Sequence, residues 1–276
     1  MKKALRLALL SLIGLVACTG HQTARAQTLF IAHPDRPHKA TIEYFLETPH
    51  SKGPWPTIIF LHGHQDWPRS GGRDFVKWGV LDDFANRGYL AVAVSQPGYG
   101  HSSGPADFCG PFTQHAVEAV IAKLHSQGYI QGDKLVLHGV SRGALVAGLV
   151  AAHDPSIGGI VLISGEYDLE EYANHPKSPI AAEIVATMKS ETGGAESALR
   201  ERSLLYSAQN IRAAALILNG ARDDRTDPEQ AKRLAAAINA HGGHARVIMY
   251  PAYSHQIPVE ARNKDVEPFI EQVLKR

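Results

Sequence analysis

Two stretches hold residues whose types and spacing could do chemistry. In FLHGHQDW, residues 60–67, His62, His64 and Asp66 fall at alternate positions, a spacing that could gather the ligands of a metal ion. In KLVLHGVSRGALVAGLVAAH, the serine of a G-x-S-x-G pentad stands between an aliphatic run and a run of small residues. Strand, sharp turn and helix form the context in which such a serine becomes a nucleophile. A strained backbone lifts the Ser141 hydroxyl clear of the strand end, and Gly139 and Gly143 let the flanking chain close up. A serine hydroxyl is a weak nucleophile at neutral pH, so it needs a base, and the base needs an orienting acid. The acid candidates lie in NGARDDRTDPEQ. Asp227 precedes Pro228 and Glu229 and reads as a helix N-cap. That leaves Asp223 as the expected acid and Asp224 as the alternative. The chain has 15 histidines; His255, in the loop YPAYSHQIP, is the expected base, whereas His153 and His241 sit at helix ends and read as capping or solvent-facing residues.

Residues so distant in sequence meet only if the chain sets them at neighbouring strand ends, and the apolar pattern provides for that. TIEYFLE, TIIFLHG, YLAVAVS, KLVLHGV, IGGIVLISG, AALILNG and ARVIMYP are short, mostly continuous aliphatic runs, as in strands buried on both faces. Helical candidates near 74–87, 113–127, 142–153, 228–241 and 257–275 alternate with them. The expected fold is therefore α/β, a mostly parallel central sheet flanked by helices, with ligands bound beyond the carboxyl ends of the strands. His64, Ser141, Asp223 and His255 each follow such a run. The backbone N–H groups of His64 and Arg142 are then the expected donors to a developing oxyanion. Residues 166–210 exceed a normal crossover and carry helical pieces around AAEIVATMKS and AESALRERSLL. They are expected to form a small helical cap or lid over the site.

With 276 residues, 44% hydrophobic and 20% charged, the chain has material for one large core. Formal net charge is +1 with acids and bases interspersed, a distribution without the basic run that would point to nucleic acid. Residues 1–17 pair a positive start with an apolar run too short to span a bilayer comfortably, and read as an export signal. LVAC, Leu15 to Cys18, resembles a bacterial lipoprotein box in which Cys18 is lipidated. ARAQ, Ala24 to Gln27, offers an alternative cut after Ala26. Loss of residues 1–17 removes Lys2, Lys3 and Arg6 and no acid, taking the net charge to −2. The expected organisation is an N-terminal tether over 18–40 and one domain over 41–276. The expected location is the periplasm or the membrane surface, with membrane contact only through the lipid anchor. Cys109, in ADFCGPF, reads as a packed small residue and not a nucleophile.

With those residues in hand, the chain resembles the α/β-hydrolase superfamily from about residue 40 to its end. LHGH, SQPGYGHSSGP, HGVSRG, NGARDDRTDPEQA and YPAYSHQIP are similar, in order, to its oxyanion turn, strand-four loop, nucleophile elbow, acid turn and His loop. The stretch from Arg202 to His255 is particularly similar to catalytic domains of the prolyl oligopeptidase family. The resemblance implies a Ser141–Asp223–His255 triad acting through an acyl-enzyme, with no cofactor, and a role for Arg225 in holding a substrate carbonyl. Two departures favour small esters. Peptidases of that family carry a β-propeller for which this chain has no room, and Gln96-Pro97 stands where an acidic or Arg-Gly start is common. The expected activity is hydrolysis of carboxylic esters or small amides, with prolyl oligopeptidase-like cleavage of short peptides as the alternative. Two rival readings differ in class. One is a zinc metallohydrolase using His62, His64 and Asp66, whose pattern has Trp67 where a further histidine should stand. The other is a non-catalytic, lipid-anchored binding protein.

Overall fold

Each aliphatic run becomes a strand in the computed structural model, which describes residues 26–36 and 38–275. The expected signal segment and Cys18 lie outside the described residues. In chain order the elements are β1 (Gln27–Ala32), β2 (Thr41–Glu47), β3 (Trp55–Leu61), α1 (Arg73–Lys77), α2 (Val80–Asn86), β4 (Leu90–Val94), α3 (Pro111–Ser126), β5 (Ile130–Val140) and α4 (Arg142–His153). There follow β6 (Gly159–Ile163), α5 (Leu169–Asn174), α6 (Pro179–Thr192), α7 (Glu196–Glu201), a 3₁₀ segment (Leu204–Asn210), β7 (Ala214–Gly220), α8 (Pro228–Ala240), β8 (Ala245–Tyr250) and α9 (Val259–Leu274).

The strands form one eight-stranded sheet in the order β1-β2-β4-β3-β5-β6-β7-β8. Pairing is parallel from β4 through to β8 and antiparallel where β2 meets β1 and β4. Alternate side chains of a strand face opposite sides, and the core divides accordingly. Ile59, Leu61, Leu135 and Leu137 pack with α3, α4 and α8 on one face. Ile58, Phe60 and Val136 pack with α1, α2 and α9 on the other. Burial of both faces is why these strands read as unbroken aliphatic runs. A fully buried Leu or Ile of this kind contributes roughly 1.5–3 kcal/mol.

Three features differ from the sequence expectation. Residues 27–32, expected within a tether, form β1, an edge strand whose side chains alternate between exposed and half-buried. The helix expected over 74–87 is two short helices, because Gly79 takes a left-handed φ of 71° between them. The 166–210 segment contains α5 as well as the two expected pieces. It joins the main core through Leu169, Tyr172, Ala181, Val185 and Met188. No helix among the described residues is long and apolar enough to cross a membrane.

His138, on β5, is buried against Phe60, with ring centroids 5.2 Å apart, and its Nδ1 has no partner. Burial, reinforced by the charge of Arg262, pushes its pKa down to about 3. An unfolded histidine titrates near 6.5, so between these values the unfolded chain binds the extra proton and stability rises with pH. The stabilisation is complete above about pH 6.5 and is lost as pH falls through the folded pKa. Replacing His138 with Leu should flatten the decline in urea-unfolding free energy between pH 6.5 and 4, by roughly 3 kcal/mol at most. An unchanged slope in the variant refutes this reading.

Candidate active site

Ser141 closes β5 and opens α4 with φ 54° and ψ −121°, a conformation that a residue with a side chain enters only against strain. The surroundings hold it there. Its N–H donates to the Ile163 carbonyl at 2.7 Å and its own carbonyl accepts from Ala144 N–H at 2.9 Å. The two glycines of the turn are required by backbone contact. A Cβ on Gly139 would stand 2.1 Å from the Gly143 carbonyl oxygen, and one on Gly143 would stand 2.2 Å from that of Leu61. The elbow is therefore pressed against the end of β3. Behind it, α4 is buried along its length from Arg142 to Ala152, which explains its small residues.

Asp223 and His255 arrive from the ends of β7 and β8. His255 Nε2 lies 3.1 Å from Ser141 Oγ, and its Nδ1 lies 3.0 and 3.1 Å from the Asp223 carboxylate oxygens. Facing a carboxylate, Nδ1 carries the proton, so Nε2 is left to accept from the serine. Asp223 also accepts from the N–H groups of Arg225 (2.9 Å) and Thr226 (3.0 Å), from Thr226 Oγ1 (2.8 Å) and from Asn219 Nδ2 (3.1 Å). Burial alone would raise its pKa. The hydrogen bond and charge of His255, with the Thr226 and Arg225 amides, overcome that and hold the carboxyl below its ordinary value. Ser164 steadies the base, donating through Oγ to the His255 carbonyl at 2.9 Å.

His62 and His64 form the adjoining wall. The Gln96 N–H donates to His62 Nε2 at 3.1 Å, so His62 Nδ1 carries the proton and donates to the Gly63 carbonyl at 2.8 Å. Both ring nitrogens are thus committed to backbone, and burial pushes the His62 pKa down to about 4. His64 Nδ1 pairs with the Tyr99 hydroxyl at 3.0 Å, while Asp66 is fully exposed and 3.8 Å from His64 Nε2. A neutral imidazole whose nitrogens are both spent cannot ligate a metal, so this geometry does not favour the zinc reading. The backbone N–H groups of His64 and Arg142 have no hydrogen-bond partner among the described residues.

The remaining candidates separate cleanly. Asp224 makes no hydrogen bond to His255; its carbonyl accepts from Ser178 Oγ. Asp227 caps α8, accepting from Glu229 N–H, with Pro228 in the first turn. Arg225 is half-buried on the acid turn beside a small cavity lined by Tyr172, Lys177 and Gln230. Cys109 is fully buried, and desolvation pushes its thiol up to about 12, which leaves no thiolate at neutral pH. Sequence reasoning passed over Ser164, Asn219, Thr226 and Tyr99 as supports, and took Gln96 only as a departure from a family pattern. Ser164 had one usable signal, its place at the carboxyl end of β6.

Comparison with known proteins extends this picture. The profile of the prolyl oligopeptidase family matches residues 111–275, the stretch that holds Ser141, Asp223 and His255. No curated protein matches the chain. Among solved structures, the acylaminoacyl peptidase of Pyrococcus horikoshii is similar with a TM-score of 0.74 at 16% identity, over 91% of this chain and 42% of its own. A puromycin-hydrolysing peptidase of Mycobacterium tuberculosis gives 0.78 at 19% identity, over 91% of this chain and 39% of its own. An esterase of Pyrococcus furiosus gives 0.66 at 16% identity, over 92% of this chain and 91% of its own. The chain thus spans less than half the length of the two peptidases and nearly all of the esterase. At these identities the likeness is one of fold.

The backbone clash at the elbow generates a direct test. Gly143→Ala should lower the melting temperature by several degrees and abolish reaction of Ser141 with a fluorophosphonate, because the carbonyls of Leu61 and His62 leave no room for the methyl group. A variant with wild-type melting and labelling contradicts the packing described.

Proposed function

The chain belongs to the prolyl oligopeptidase family and is a serine hydrolase, and from that premise we propose that it cleaves carboxylic esters, or small amides, through a Ser141–His255–Asp223 triad. The observation that carries this reading is the unbroken chain from Ser141 Oγ to His255 Nε2 and from His255 Nδ1 to Asp223. In the first half-reaction His255 takes the Ser141 proton as Oγ attacks the carbonyl carbon. Asp223 holds the imidazole in the Nδ1–H tautomer and stabilises the imidazolium. The negative charge that grows on the carbonyl oxygen is met by the unspent N–H groups of His64 and Arg142, each worth about 3–4 kcal/mol of barrier. Collapse of the tetrahedral species expels the leaving group, which takes the proton from His255. Water, deprotonated by His255, then attacks the acyl-serine, and Oγ recovers its proton as the acid departs.

Esters come first because the similarity to the Pyrococcus furiosus esterase runs the length of both chains, whereas it covers under half of either peptidase. Cleavage of short peptides is the second reading. It is supported by the family match, and the family resemblance assigns the carbonyl contact to Arg225, which is half-buried on the acid turn. We further propose that the protein is exported and anchored through lipidated Cys18, a reading that rests on the sequence of residues 1–18.

Ser141→Ala should abolish both hydrolysis of p-nitrophenyl acetate and fluorophosphonate labelling, whereas full activity would remove Ser141 from the mechanism. Measured side by side, short p-nitrophenyl esters should give a higher kcat/KM than proline-containing aminoacyl amides. The reverse order establishes the peptidase reading, and a lower value for amides in Arg225→Met would tie that residue to the carbonyl. Cys18→Ala should move the protein from the membrane fraction to the soluble fraction and end incorporation of a labelled fatty acid. Unchanged fractionation disproves the anchor.

A further inference from the structure

Besides its bonds to Gln230 and Arg233 of α8, the helical insertion between β6 and β7 is tied to two turns of the active site. Its first part holds the acid turn. Tyr172 Oη donates to the Arg225 carbonyl at 2.6 Å, Ser178 Oγ donates to that of Asp224, and Lys177 Nζ pairs with Asp227 at 2.7 Å. Its later part reaches the other side. Glu191, near the end of α6, places Oε2 2.8 Å from Arg142 Nη1, and the same oxygen accepts from the Phe108 N–H at 2.8 Å. Arg202 adds a bond from Nε to the Asp107 carbonyl at 3.0 Å.

The segment so held is strained. Phe108 and Cys109 have φ of 42° and 63°, left-handed values costly for residues with side chains. Gln114 Nε2 donates to the Cys109 carbonyl at 2.7 Å, and Cys109 Sγ rests 3.4 Å from the Arg142 carbonyl. The Arg142 guanidinium lies between the rings of Tyr99 and Phe108, 5.4 and 4.9 Å from their centroids, and its side chain is 2% exposed. None of its nitrogens makes a well-directed hydrogen bond. The Glu191 carboxylate is therefore the counter-charge of a cation that has left water altogether. Removing one partner of such a pair strands the other.

Arg142 is also the residue after the nucleophile. We propose that Glu191 is a positioning residue: reaching in from the insertion, it neutralises Arg142 and locks Phe108, and so fixes the Arg142 backbone N–H where the oxyanion forms. The proposal rests on the reading of that N–H as an oxyanion donor. It makes the insertion a working part of the catalytic centre. Such a donor acts on the transition state more than on bound substrate, so its misplacement lowers kcat and leaves KM nearly unchanged.

The test uses the full chain, with kcat and KM on p-nitrophenyl butyrate, fluorophosphonate labelling and the melting temperature read for each variant. Glu191→Gln keeps an acceptor for the Phe108 N–H and removes the charge. It should lower kcat by about tenfold or more with KM within about twofold, at temperatures well below its melting point. Glu191→Met should lose more. The double variant Glu191→Met, Arg142→Met carries no stranded cation and should regain a substantial part of that loss, the non-additivity expected of a coupled pair. Should Glu191→Met fail to fold, Glu191→Gln decides. A fall in melting temperature with kcat within twofold of wild type would show a purely structural pair and overturn the proposal, as would a rise in KM at constant kcat or additive losses in the double variant. A wild-type chain that neither labels nor turns over rejects the serine-hydrolase mechanism and this inference with it, whereas a labelled, active wild type with an unimpaired Glu191→Gln rejects this inference alone.

Discussion

At the end of β5 the chain turns so tightly on itself, and so close to β3, that a Cβ on Gly139 would meet the backbone of Gly143 and one on Gly143 would meet the Leu61 carbonyl. Much else follows from that approach of backbone to backbone. It sets Ser141 in its strained conformation, aims the first N–H of α4 across the strand ends, and brings the turn after β3 alongside. Parallel pairing of β5, β6, β7 and β8 then delivers the remaining turns to the same edge in register. The strain at Ser141 is offset by ordinary means: one hydrogen bond to β6, the buried length of α4, and the aliphatic layers beneath. Geometry that tolerates little displacement is thus held by close backbone packing over a buried core.

The legible and illegible parts of the structure divide along a physical line. Strands β3 to β7 were readable because burial on both faces favours continuous aliphatic residues, whereas β2 and the half-buried edge strand β8 were readable from their apolar content alone. His255 and Asp223 were readable because the architecture prescribes where they stand, although nothing about a single histidine or aspartate distinguishes it. The edge strand β1 escaped notice because a ribbon with one open side needs no such run; QTLFIA looks like any polar approach to a domain. The break at Gly79 is a matter of one backbone angle inside an otherwise helical pattern. Gln96 and Glu191 were hidden for a different reason. Their significance lies in contacts 34 and 49 positions away, to His62 and Arg142, which no periodicity encodes. FLHGHQDW is the instructive case, since the spacing of its side chains suggested ligands, whereas the folded chain spends the His62 ring on holding a turn.

Electrostatically the site is built from groups kept in one state. Asp223 is held ionised by donors on several sides, His62 is held neutral by burial, and Cys109 is held as a thiol. Glu166, beneath the acid turn, has its pKa raised well above the ordinary carboxylate value by burial, and it accepts from the Asp227 N–H. Across neutral pH these shifts keep Asp223 charged and His62 and Cys109 neutral around the Ser141–His255 pair.

The Arg142–Glu191 pair also bears on how such a protein could be rebuilt. The insertion is one contiguous block of sequence between two strands, the kind of unit that recombination or design can exchange without disturbing a sheet. Here the block is not freely interchangeable. Any substitute must either bring an acid to the place of Glu191 or arrive together with an uncharged residue at 142, because the elbow otherwise keeps a buried cation with nothing to answer it. A single ion pair thereby ties the history of the helical block to that of the nucleophile turn, and the two are expected to be inherited, or redesigned, as one.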